Sequence, residues 1–196
     1  MPKSNRVYMK GFFFCSFIAL LTSINTICTS FFLLYSLKIC FLIQNILIIA
    51  DLLFWTLFFM KLLKERNILK KIILLFICTL LLAIYLFYSS DTEKPNLQVL
   101  GLVNICKSIF CIFFYYKIFT KLPNQNILLE PSFWIISGLI FYSCLSLPFY
   151  ALNNYIKIEF PPLISYNIFS ISNILIIIMY IFFIKAYLCT IRLSKA

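Results

Sequence analysis

The sequence predicts an all-α fold, a polytopic transmembrane bundle of six spans with both termini in the cytoplasm. Three observations predict it. Hydrophobic residues make up 63 % of the chain and charged residues 12 %, against roughly 45–50 % and roughly 25 % in soluble domains. Runs such as "IILLFICTLLLAIYLF" (72–87) are apolar on every face, so lipid is their solvent and helix their backbone, since a barrel strand would alternate. The basic residues fall at the ends of the apolar runs and alternate in number from one connection to the next.

The 196 residues suffice for one integral membrane domain, 1–196, at roughly 20 residues per span. The first span covers about 11–36, "GFFFCSFIALLTSINTICTSFFLLYS". Its apolar stretch continues to Tyr35, longer than the core of a cleaved signal peptide, so it is read as a span. The second covers 39–60, the third 72–89, the fourth 98–119, the fifth 132–152 and the sixth 163–185. Tyr88, Tyr115, Tyr116, Trp134, Tyr150 and Tyr187 lie near span ends, where aromatic belts form. Connections reach about a dozen residues, so no soluble domain is expected between spans.

Lysines and arginines set the orientation. The N-terminus holds Lys3, Arg6 and Lys10, and "KLLKERNILKK" holds Lys61, Lys64, Arg66, Lys70 and Lys71. Lys117 and Lys121 follow the fourth span, and Lys185, Arg192 and Lys195 close the chain. Those thirteen share one side, against Lys38, Lys94 and Lys157 on the other. The bias puts both termini inside, requires an even number of spans and points to a bacterial cytoplasmic (inner) membrane. It also explains the net charge of +11 through topology and anionic headgroups, with no nucleic-acid partner.

The composition excludes much chemistry. No histidine occurs, which removes histidine metal sites, proton relays and Ser-His or Cys-His nucleophiles. Three glycines (Gly11, Gly101, Gly138) build no phosphate-cradling loop. Cys15, Cys28, Cys40, Cys78, Cys106, Cys111, Cys144 and Cys189 all lie in or beside apolar runs, without a CxxC pair, as small buried hydrophobes do. No catalytic residue, cofactor or metal is expected, and the chain reads as a non-enzyme.

One acid and one base break the apolar runs. In "NILIIADLLFWTLFFMK" Asp51 lies about 12 residues from the outer end of its span, and Lys107 about nine or ten from the outer end of the fourth. At 1.5 Å per residue the depths differ by a few ångströms. Each charge alone carries a penalty of roughly 2.5–3.5 kcal/mol at a helix centre, and an opposite charge at equal depth offsets much of it. The second and fourth spans are therefore expected to be neighbours, joined by Asp51 and Lys107. Gln44, seven residues before Asp51, and Asn104, three before Lys107, extend this candidate polar site.

Small and amide residues mark expected helix contacts. They are Ser137 and Gly138 (with Ser143) in the fifth span, and Asn167, Ser170 and Asn173 (with Ser165 and Ser172) in the sixth. Pro148 removes a backbone donor near the end of the fifth span, which favours a kink, while Pro161 and Pro162 open the sixth. In "NILLEPSFW" Pro131 fits a first helical turn, and the Glu130 carboxylate stands at the positive end of the dipole as a cytoplasmic helix cap.

From Glu130 onward, "EPSFWIISGLIFYSCLSLPFYAL" and "NILIIIMYIFFIKAYLC" (173–189) resemble the closing segments of a family of small multi-span membrane proteins of Bacteroidota. Genes of that family often neighbour sensor histidine kinases. The resemblance covers the last third of the chain. It implies a membrane input or accessory role in signalling, with a sensor kinase as partner beside the lipid bilayer, and supplies no site residues. A non-enzymatic signalling component is thus the expected function. A small transporter or channel using Asp51 and Lys107 is the alternative.

Overall fold

The computed structural model describes residues 37–89, 97–121, 127–152 and 162–195, with side chains described for 43–89, 97–120, 127–152, 171 and 173–192. The expected first span and the Asn167 and Ser170 side chains lie outside that set. The described residues form five α-helices: α1 (Leu37–Leu63), α2 (Arg66–Ser89), α3 (Leu97–Lys121), α4 (Pro131–Ala151) and α5 (Pro162–Lys195). A single 3-10 turn, Ile127–Leu129, precedes α4. All five are long and apolar enough to cross a membrane. The protein is built as a multi-span integral membrane protein.

Two compact units divide the chain inside α3, between Cys106 and Lys107. In the first, α1 and α2 form a hairpin joined by Lys64 and Glu65. Lys64 turns the chain by adopting a left-handed φ of 47°, which a side chain normally avoids. The Glu65 amide then donates to the Leu63 carbonyl at 2.6 Å, and the Leu69 amide to the Glu65 carbonyl at 2.8 Å. Buried positions on α1 follow the helical period through Ile48, Leu52, Trp55, Phe59 and Leu63. Trp55 and Phe58 meet edge to face at 5.5 Å, a geometry that aromatic quadrupoles favour. On α2, Ile72, Thr79 and Ala83 are buried along one face. Thr79 returns its hydroxyl to the Leu75 carbonyl and Thr56 to the Leu52 carbonyl, so neither brings an unmet donor into the apolar interior.

In the second unit, the remainder of α3 runs antiparallel to α4, since Ser108 meets Cys144 while Tyr115 meets Ser137. Helix α4 in turn packs closely against α5. Their register is fixed by Phe182, whose ring lies 6.1 Å from Trp134 and 6.3 Å from Phe141, with Gly138 between them. Residues 134, 138 and 141 are one turn apart and form a groove for that ring. A Cβ on Gly138 would lie 2.8 Å from Phe182 Cβ and 3.2 Å from the Met179 carbonyl oxygen. The lack of a side chain is what lets the two backbones approach.

Helix bounds agree with the expected spans except at charged ends. Helix α2 begins at Arg66, six residues before the expected span, and α5 continues to Lys195, ten beyond it. Lysine and arginine are good helix formers, so helix persists where the apolar run stops. Helix α4 continues past Pro148 to Ala151, closed by a 2.9 Å bond from the Leu152 amide to the Pro148 carbonyl.

Candidate functional site

The most polar interior surface lies along α3. Asn104, Lys107, Ser108 and Cys111 stand at intervals of three and four, on one side of the helix. All four are buried, Asn104 and Cys111 completely and Lys107 with 4 % of its surface exposed. A lysine there needs its ammonium satisfied, because three donors and a charge in an apolar setting cost several kcal/mol. Apolar side chains of the same helix flank this stripe on one side: Val103, Phe110 and Phe114 are likewise buried.

Within the second unit, polar contacts tie this helix to α4. Ser108 Oγ and Cys144 Sγ are 3.6 Å apart. Two turns further along, the Tyr115 hydroxyl and Ser137 Oγ are 2.8 Å apart, and Ser137 also donates to the Phe133 carbonyl. The Tyr115 ring packs edge-on against Phe133 at 6.1 Å. A bond between neutral groups contributes about 0.6–2 kcal/mol between membrane helices, so these contacts fix rotation and depth more than they drive association.

Asp51 and Gln44 both lie on α1, half-buried, seven residues apart on one face. They belong to the first unit, with Asn104, whereas Lys107 opens the second. Ser137 and Gly138 both serve helix contacts, to α3 and α5 respectively. Asn173 is exposed; a three-residue spacing identifies a face of α5 without saying which way that face turns. Glu130 occupies the N-cap of α4 with Pro131 in the first turn, but its side chain makes no capping hydrogen bond. Its backbone does the capping instead, accepting from the Phe133 amide at 3.2 Å, because its φ and ψ of −85° and 120° turn that carbonyl into the helix.

A second cluster was not evident from spacing. Lys185 Nζ lies 3.5 Å from the centre of the Trp134 ring, and Trp134 Nε1 donates to the Leu128 carbonyl at 2.8 Å. Both residues were visible as interface residues, but 51 positions separate them, and an antiparallel α4–α5 register is needed to bring them together. The stack lets the lysine charge sit beside apolar surface, a contact valued at about 0.5–1 kcal/mol when exposed. Ser132 Oγ and Asn45 Oδ1 are buried without a hydrogen-bond partner among the described residues.

Among the described residues no three metal-ligating side chains come together. Comparison with protein-family models, with curated proteins and with solved structures returned no match. Of the interior polar groups, Ser108, Tyr115 and Ser137 hold α3 and α4 in register.

Proposed function

We propose that this chain is a six-span protein of the bacterial cytoplasmic membrane, with both termini in the cytoplasm, and a non-enzymatic, sensor-like or accessory component of a membrane signalling system. The observation that carries this reading is how the interior polar side chains are used. Ser108, Tyr115 and Ser137 are spent on contacts between helices, as in a protein whose output is the arrangement of its helices. The resemblance of residues 130–189 to the Bacteroidota family supports a sensor kinase as the partner, meeting the chain through contacts in the same bilayer. Thirteen basic residues against three support the orientation.

Copurification tests the partner. Tagged protein extracted at its native level in mild detergent is expected to bring a sensor kinase with it, and to lose that kinase when the partner's membrane segment is replaced. A monodisperse chain with no kinase at native levels would reject the reading.

A second reading has one specific support, the burial of Lys107 beside Asn104 in the middle of α3. Intramembrane ionisable residues often line solute or proton paths, and a small transporter or channel would use them with Asp51 and Gln44. Loss of solute flux in vesicles carrying Asp51→Asn, with insertion unchanged, would favour transport over signalling.

A further inference from the structure

The tip of the α1–α2 hairpin has a feature that orientation alone does not require. Lys61, Lys64, Arg66, Lys70 and Lys71 are all exposed there, and Glu65, half-buried, is the one acid among them. Arg66 begins α2 and its first turn holds no acidic residue. Cations at a helix N-terminus oppose the macrodipole, and the single carboxylate of Glu65 is set against five cations at this tip. The two-residue turn holds these charges on a short, hydrogen-bonded tip.

The stripe below the tip says what kind of anion fits. At 100° per residue, Arg66, Lys70, Leu74, Ile77, Leu81 and Ile84 fall within one narrow arc of α2. Leu74, Ile77, Leu81 and Ile84 are 63 %, 46 %, 62 % and 53 % exposed. Two cations therefore lead directly into an open apolar strip. From Lys70 to Leu81 the helix rises about 16 Å, close to half of a roughly 30 Å hydrocarbon core. That is the outline of one leaflet's lipid, charged at the head and greasy for the length of an acyl chain.

We propose that this face of α2 binds an anionic phospholipid, its phosphate held by Arg66 and Lys70 with Lys71 reaching in from the flank, and an acyl chain lying along Leu74, Ile77 and Leu81. Three cations favour a headgroup with two phosphates over one. A soluble acidic peptide matches the tip but leaves the strip unused, so lipid is the occupant. The proposal rests on the membrane reading and is independent of any kinase partner.

Native mass spectrometry of the full chain released from nanodiscs tests it. Discs are made with phosphatidylcholine alone, with added phosphatidylglycerol, and with added diphosphatidylglycerol. Retained lipid is expected to rise in that order. Lys70→Gln with Lys71→Gln is expected to lower diphosphatidylglycerol retention about fivefold per lysine, while Lys117→Gln, at the end of α3, leaves it unchanged. A salt series on the unaltered chain gives the same information without substitution, because raised ionic strength should weaken retention of the anionic lipids alone. Equal retention of all three lipids, or equal loss in the Lys117 variant, overturns the proposal. So does a polyaspartate peptide that binds the tip while lipid preference is absent. Failure of the chain to enter discs of any composition would reject the membrane reading itself.

Discussion

Replacing Gly138 with alanine is expected to weaken the pairing of α4 with α5 by about 1–3 kcal/mol, the usual penalty for extra atoms in a filled interface. The added carbon would meet Phe182 Cβ at 2.8 Å and the Met179 carbonyl at 3.2 Å. Neither atom is the far end of a flexible side chain, so relief requires moving a backbone. Thermal unfolding in detergent, followed by the fluorescence of Trp134 in a Trp55→Phe background, measures the effect. Truncating Phe182 to alanine should not restore the loss, because its Cβ remains in place. Recovery in that double variant would place the clash with the ring and refute a backbone approach at this point. Gly138→Leu should open the pair altogether and free Lys185 from the Trp134 ring.

Removing the charge of Lys107 is expected to have a larger effect. With 4 % of its surface exposed, the residue has its ammonium inside protein, and loss of one member of a buried ion pair typically costs about 3–5 kcal/mol. The depth arithmetic of the sequence makes Asp51 the expected partner, and the variants test that expectation. Lys107→Met and Asp51→Asn should each destabilise the protein, and the two together should cost clearly less than their sum. Unfolding of the three variants in detergent reads this coupling directly. Additive losses would disconnect the two residues and leave Lys107 a local feature of α3.

The helices were legible in the sequence because lipid imposes a simple demand, an unbroken run of apolar residues satisfied within its own backbone. That demand says little about ends. Arg66 and Lys70 lie outside the apolar run but inside α2, since a charged side chain at the bilayer surface continues a helix without penalty. Lys185 marked the expected end of the sixth span, yet α5 continues to Lys195, and the Lys185 charge rests on the Trp134 ring. Gly138 was legible as a contact residue, one of three glycines in an apolar chain. Its neighbour Phe182 was not, being one of 23 phenylalanines with nothing local to single it out. Asn173 shows the converse: an amide in a span invites a partner, but its direction depends on how α5 is rotated, which α4 decides through Phe182.

The left-handed Lys64 offered no sequence signal either. Glycine or asparagine normally takes such a position, and the shortness of the α1–α2 connection was what mattered.

Helix α5 spans 34 residues, about 51 Å end to end at 1.5 Å per residue. A hydrocarbon slab is about 30 Å thick, so with the helix upright roughly two-fifths of this rod stands in headgroups or water. Such a rod is a pointer. Pivoted at its groove on α4, it would convert a lean of about 10° into a sideways sweep of several ångströms at its tip.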